Sequence, residues 1–145
     1  MLPETVREAV REVAEGLNGD ILAVGLFGSI ARGDFGPHSD IDVFVITRRP
    51  LSLEEQDRIY EIFAQALAPR FGRDVTVLVY DLAGLKRVPT WHTLVMVHDA
   101  VLAEDRAGIQ GLFQRILQEA EAHGIIYNPT TGTFQVIRAG RVFFL

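Results

Sequence analysis

The sequence predicts one α+β domain in which amphipathic helices pack on short buried strands. Three observations carry that reading. The 145 residues suffice for one sizeable core but are too few for two ordinary domains. Apolar runs at about 21–27, 40–46 and 74–80 have strand length and are bounded by turn chemistry. Between and after them lie segments whose apolar residues recur at helical spacing.

The elements follow in order. Val6, Val10, Val13 and Leu17 recur at helical spacing after Pro3, with Glu4 and Glu8 in the early turns, and Asn18-Gly19-Asp20 ends that helix. Ile21 to Phe27 reads as a buried strand running into Gly28-Ser29. Ser29 to Asp34 suits one or two helical turns, and Phe35-Gly36-Pro37-His38 is a loop before the strand at about Asp40 to Ile46. Ser52 and Glu55 have capping-box spacing. Leu53, Ile59, Phe63, Ala66 and Leu67 give a buried stripe on a helix of about four turns, up to a break at Pro69. Asp74 to Tyr80 is rich in β-branched residues and forms a third strand, after which Asp81 caps a short helix ending near Pro89. Leu94 to Val97 and Ala100 to Ala103 are weaker strand candidates. Asp105 caps a helix carrying Ile109, Leu112, Phe113, Ile116 and Leu117, with Gly124 at its end. The turn cluster 128–132 pairs its flanks, 125–127 and 133–137, into a C-terminal β-hairpin, and Phe143-Phe144-Leu145 either joins the sheet or meets a partner. The domain thus spans 1–145, with a core at about 1–124 and a hairpin extension at about 125–145.

Composition excludes several function classes. A chain 48% hydrophobic and 23% charged buries enough apolar surface to fold, so it is not a disordered or low-complexity segment. Its net charge of −5 supplies no bulk positive field for nucleic acid or anionic lipid. With no cysteine there is no disulfide framework, thiolate metal site or thiol nucleophile. No apolar stretch reaches membrane-spanning length, and the acidic N-terminal segment is unlike an export signal. A cytoplasmic protein without membrane contact is the expectation.

The chemistry concentrates in residues 25–45, GLFGSIARGDFGPHSDIDVFV. Asp40 and Asp42 stand two apart at a strand, so the period of two puts both carboxylates on one face. Adjacent carboxylates repel, and a divalent cation with hard-oxygen preference, such as Mg²⁺ carrying nucleotide phosphates, relieves that repulsion. Gly28-Ser29 falls where a strand turns into a helix, a place where backbone N–H groups meet an anion. Arg32, one turn on, can add a charge-assisted bond to a terminal phosphate. The loop is not a Walker-type one, since no G-x-x-x-x-G-K-[ST] occurs. Asp34 faces the same loop and is read as turn solvation. The four histidines lack ligand spacing, and Trp91 is read as cover for the sheet.

Gly28-Ser29, the ten residues 30–39, and Asp40-Ile41-Asp42 resemble the signature of the DNA polymerase β-like nucleotidyltransferase superfamily. The resemblance spans about residues 1–124 and implies a mixed β-sheet flanked by helices. It also implies a third carboxylate on a later strand, for which Asp74 is the candidate and Asp81 the weaker one. In that reading Gly28, Ser29 and Arg32 bind the nucleotide, ATP or another NTP. Asp40, Asp42 and Asp74 hold two Mg²⁺ ions, and Asp74 helps deprotonate the attacking hydroxyl.

With no added RNA-binding domain or basic surface, the chain looks most like the minimal nucleotidyltransferases, or MNT proteins. Many of these act as antitoxins that transfer AMP to a HEPN toxin. The resemblance therefore implies transfer of NMP, AMP first, to a hydroxyl of a separate HEPN-type protein. Nucleic acid is not expected as a partner, and a homo-oligomer stays open. Two alternatives are a non-catalytic nucleotide-dependent binding module and an aminoglycoside-type small-molecule nucleotidyltransferase. Arg87 to His92 and Arg32 to His38 match the Arg-x4-6-His spacing of HEPN proteins, but two fixed residues arise readily by chance and the helical bundle that displays them is missing.

Overall fold

In a computed structural model that describes residues 1–87, 90–138 and 141–144, the chain begins with helix α1 (Leu2–Glu15) and strand β1 (Ile21–Phe27). The one-and-a-half-turn α2 (Gly28–Arg32) leads to β2 (Ile41–Thr47), α3 (Leu53–Phe71) and β3 (Val75–Asp81). Next come α4 (Leu82–Lys86), α5 (Trp91–Asp99), β4 (Val101–Asp105) and α6 (Ile109–Ala122). The chain closes with β5 (Ile125–Asn128), β6 (Thr133–Arg138) and β7 (Arg141–Phe144). Among the described residues no helix is long and apolar enough to cross a membrane.

The main sheet has the order β3-β2-β1-β4 and is mixed: β1 runs antiparallel to β2 and β4, whereas β2 and β3 are parallel. A parallel pair needs a crossover, and the long α3 supplies it. Alternation along the strands divides the core in two. On one face Val24, Leu26, Val43, Val45 and Val75 pack with Val6 and Val10 of α1 and with Ile59, Phe63 and Leu67 of α3. On the other, Phe44 and Ile46 pack with Leu94 and Val97 of α5 and with Leu112, Phe113 and Ile116 of α6. β1 is buried over six of its seven residues because both faces are covered. Gly25 makes this possible: a β-carbon there would overlap the Phe44 ring and the Val101 carbonyl of β4.

Several expectations need correction. The helix after Ser52 does not stop at Pro69 but runs to Phe71, ending at Gly72 with φ 63°. Pro69 sits in the last turn, where it forgoes one i→i−4 bond, to the carbonyl of the exposed Gln65, which solvent can satisfy instead. The Ser52–Glu55 capping box is present, yet Leu53 is 79% exposed and Ala66 also faces solvent. The buried stripe is Ile59, Phe63 and Leu67 with Ala64 and Ala68 beside it. Leu94 to Val97 is not a strand: α5 starts at Trp91, capped by Thr90, whose side chain accepts from Thr93 N, and it buries Leu94, Met96 and Val97 against the sheet. A short apolar run does not by itself distinguish strand from buried helix, and here the cap and the packing decide.

The expected C-terminal hairpin exists as β5 and β6, and β7 adds a third antiparallel strand to it, so Phe143 and Phe144 lie in a paired strand. Pro89 and Leu145 lie outside the described residues. Asp105 caps α6 from the end of β4, its carboxylate accepting from the N–H groups of Ala107, Ile109 and Gln110.

Candidate active site

The site forms where β1 ends and β2 begins. Phe27 is extended, and Gly28 then opens α2 with φ 76°, a left-handed conformation that glycine adopts without strain. The reversal presses the Gly28 α-carbon against the neighbouring strand, where Phe27 pairs with Asp42. A β-carbon on residue 28 would overlap Asp42 Oδ2 and lie 3.2 Å from its Cγ. The turn and the acidic strand are therefore one unit.

Asp42 is half-buried inside β2, and Asp40 is exposed one residue ahead of the strand. Burial first, and then the like charge of Asp40, push the Asp42 carboxyl up; the Thr76 hydroxyl and the Arg32 charge pull it back. Thr76 is opposite Asp42 in the parallel register. Asp74, exposed and one residue ahead of β3, is tied to the same edge by its backbone carbonyl, which accepts from Ile41 N at 2.8 Å. Arg73 fixes the intervening loop. Its Nη1 donates to Gly36 O and Ser39 O at 2.9 and 2.8 Å, and its guanidinium lies over Phe35.

Arg32 ends α2. Its Nε donates to Asp34 at 3.1 Å and its Nη1 to Asp99 at 2.8 Å. Asp34 is thus an ion-pair partner for Arg32. Ser29 sits in the first turn of α2, and its carbonyl receives the Gly33 and Asp34 amides that close the helix. Asp81 caps α4 by accepting from Gly84 N, and Trp91 packs on the α5–α6 side of the core.

Sequence reasoning missed Thr76 and Asp99. Thr76 shares the strand parity of Asp74 and so was findable. Asp99 was hidden because its helix was read partly as strand. Among the described residues, no three His, Asp or Glu side chains gather closely enough to enclose a metal ion. The Asp40–Asp42 pair does suit a hard divalent cation that keeps water and phosphate oxygens as its remaining ligands: two like charges, one half-buried, share an edge whose nearby cation, Arg32, is committed to Asp34 and Asp99.

The order of the mixed sheet, with a glycine turn against an acidic strand edge, defines a nucleotidyltransferase fold, and the nucleotidyltransferase domain family matches residues 5–92. The chain belongs to that family and is a nucleotidyltransferase. It is 29% identical over 87 residues to a Methanocaldococcus jannaschii protein provisionally named protein adenylyltransferase MJ0141, a match covering 60% of this chain and 83% of that one. A chain from the crystal structure of a toxin-antitoxin with AMP-PNP superposes with a TM-score of 0.55 at 21% identity, covering 80% of this chain and 93% of its own. A chain from the toxin-antitoxin MntA-HepT gives 0.50 at 19% identity, covering 82% and 93%. At those identities the likeness is one of fold.

Proposed function

We propose that this nucleotidyltransferase transfers AMP from ATP to a hydroxyl of a partner protein, and that the partner is a HEPN-type toxin. The observation that carries the reaction is the contact of Gly28 with Asp42, which joins a phosphate-binding turn to a carboxylate edge. The M. jannaschii relative's name supports protein adenylylation. The folds shared with chains of the AMP-PNP and MntA-HepT complexes favour ATP and a toxin partner.

In this reading Gly28 and Ser29 offer backbone and hydroxyl donors to the triphosphate, and Arg32 adds a charge-assisted bond at its terminal end. Asp40 and Asp42, joined by Asp74 from the adjoining strand when the cations bind, would hold two Mg²⁺ ions, whose charge offsets that of the triphosphate and the departing pyrophosphate. The acceptor hydroxyl forms a bond to the α-phosphorus as the bond to the bridging oxygen of pyrophosphate breaks. Asp74, exposed at the mouth of β3, takes the hydroxyl proton. One domain spanning 1–145 carries these parts, with the C-terminal strands as an extension.

The test incubates the protein with Mg²⁺ and ATP labelled at the α-phosphate in a lysate of its native cells, with Asp40→Asn/Asp42→Asn as the blank. Label on a protein that is lost in the blank supports the reading, and the labelled band identifies the partner. Label on a small molecule moves the enzyme to the aminoglycoside-type class. ATP binding without any labelled product leaves a nucleotide-dependent binding module in its place.

A further inference from the structure

Asp99 is the last residue of α5, and its side chain is 2% exposed. A carboxylate meets the negative end of the helix dipole there, and a buried charge is costly without partners. Two groups compensate it: Arg32 Nη1 stands 2.8 Å from Oδ2, and His98 Nδ1 stands 3.0 Å from Oδ1. The His98 ring stacks on Tyr127 of β5, with centroids 3.5 Å apart and planes at 20°. Phe134 of β6 meets the edges of this stack, at 6.0 Å from His98 and 5.4 Å from Tyr127. A continuous set of contacts thus runs from the C-terminal sheet to the arginine one turn beyond the glycine turn.

We propose that Asp99 is a positioning residue for phosphate recognition: it presets the Arg32 guanidinium beside the phosphate-binding turn, with His98 and Tyr127 bracing it from the C-terminal sheet. This inference rests on the proposed role of Gly28, Ser29 and Arg32 in holding a triphosphate. A free arginine loses much rotamer freedom on gripping an anion, and a fork already held on two carboxylates loses less. Arg32 keeps 38% of its side chain exposed, so the preset cation remains open to solvent and ligand. The arrangement also gives the C-terminal strands a task that the sheet β3-β2-β1-β4 does not require of them.

The test is calorimetric titration of ATP and of AMP, each with Mg²⁺, into the full chain and into Asp99→Asn, Arg32→Gln, the Arg32→Gln/Asp99→Asn double variant and Tyr127→Leu. The expected result is a loss of roughly tenfold in ATP affinity for Asp99→Asn with AMP binding unchanged, because the lost interaction concerns the terminal phosphates. The double variant should bind ATP as Arg32→Gln does, since coupled residues are not additive. Tyr127→Leu should lose ATP affinity in the same direction by less. It lies outside the ion pair and keeps the test decisive if Asp99→Asn folds poorly, as thermal melts will show. Equal losses for ATP and AMP, or additive losses in the double variant, reduce the network to a structural tether and overturn the inference. Failure of the unaltered chain to bind either nucleotide overturns the proposed function and this inference with it.

Discussion

Gly28 lies with its α-carbon directly against the carboxylate of Asp42, in a left-handed conformation and without room for a β-carbon. Gly28→Ala must therefore both strain the backbone and displace the carboxylate. The expected cost is about 1–3 kcal/mol of stability, together with loss of nucleotidyl transfer. Denaturant melts and the labelled-ATP assay check the two parts. A variant of native stability and activity would show that the turn tolerates a side chain.

Burial, and then the charge of Asp40, raise the Asp42 carboxyl above its ordinary range. A carboxyl that is raised on folding binds more protons in the folded chain, so it subtracts stability as pH climbs from the usual Asp value of about 3.9 through the raised one. Asp42→Asn should accordingly melt a few degrees higher than the wild type at neutral pH without metal. That gap should close on acidification below the normal carboxylate range. Parallel pH profiles for the two proteins would contradict the assignment.

Asp105 behaves in the opposite sense. Burial pushes its carboxyl up, but the N–H groups of Gln110, Ile109, Ala107 and Gly108 outweigh burial and hold it below the ordinary range. A carboxyl lowered on folding contributes stability above its unfolded value and loses that contribution as pH falls through the lowered one. Asp105→Ala should cost about 1–2 kcal/mol at neutral pH, as for the loss of a helix cap, and progressively less in acid. Urea titrations at two pH values measure the difference.

Phe63 is fully buried between α3 and the sheet face opposite Phe44. Phe63→Ala should cost about 3–5 kcal/mol. ATP affinity, measured by calorimetry where the variant is still folded, should stay at the wild-type level, because the candidate site opens on the other face. A selective loss of ATP binding would show that the two halves of the core are coupled.

Much of this was legible in the residues. β1 stands where its apolar run ends at Gly28, and the Ser52 and Asp105 caps act as their side-chain chemistry dictates. The turn chemistry of Gly28-Ser29 and the two-residue spacing of Asp40 and Asp42 made these residues candidates together, because a turn and a period-two strand are local geometry. α5 was less legible: Leu94 to Val97 is apolar enough for either a strand or a buried helix. Pro69 was overread for a similar reason, since the cost of a helical proline depends on its distance from the helix end.

By itself the sequence determined most of the local elements, though not α5 or the end of α3, together with the glycine turn and the two-residue spacing of the carboxylates, all governed by backbone sterics and side-chain periodicity. Only the tertiary structure decided that Asp42 faces Thr76, that Asp74 shares an edge with Asp40, and that Arg32 is held by Asp99, 67 residues away. Those relationships depend on strand register and on how the two sheet faces are packed. Register and packing are set by the burial of the whole core, a property that no single segment encodes.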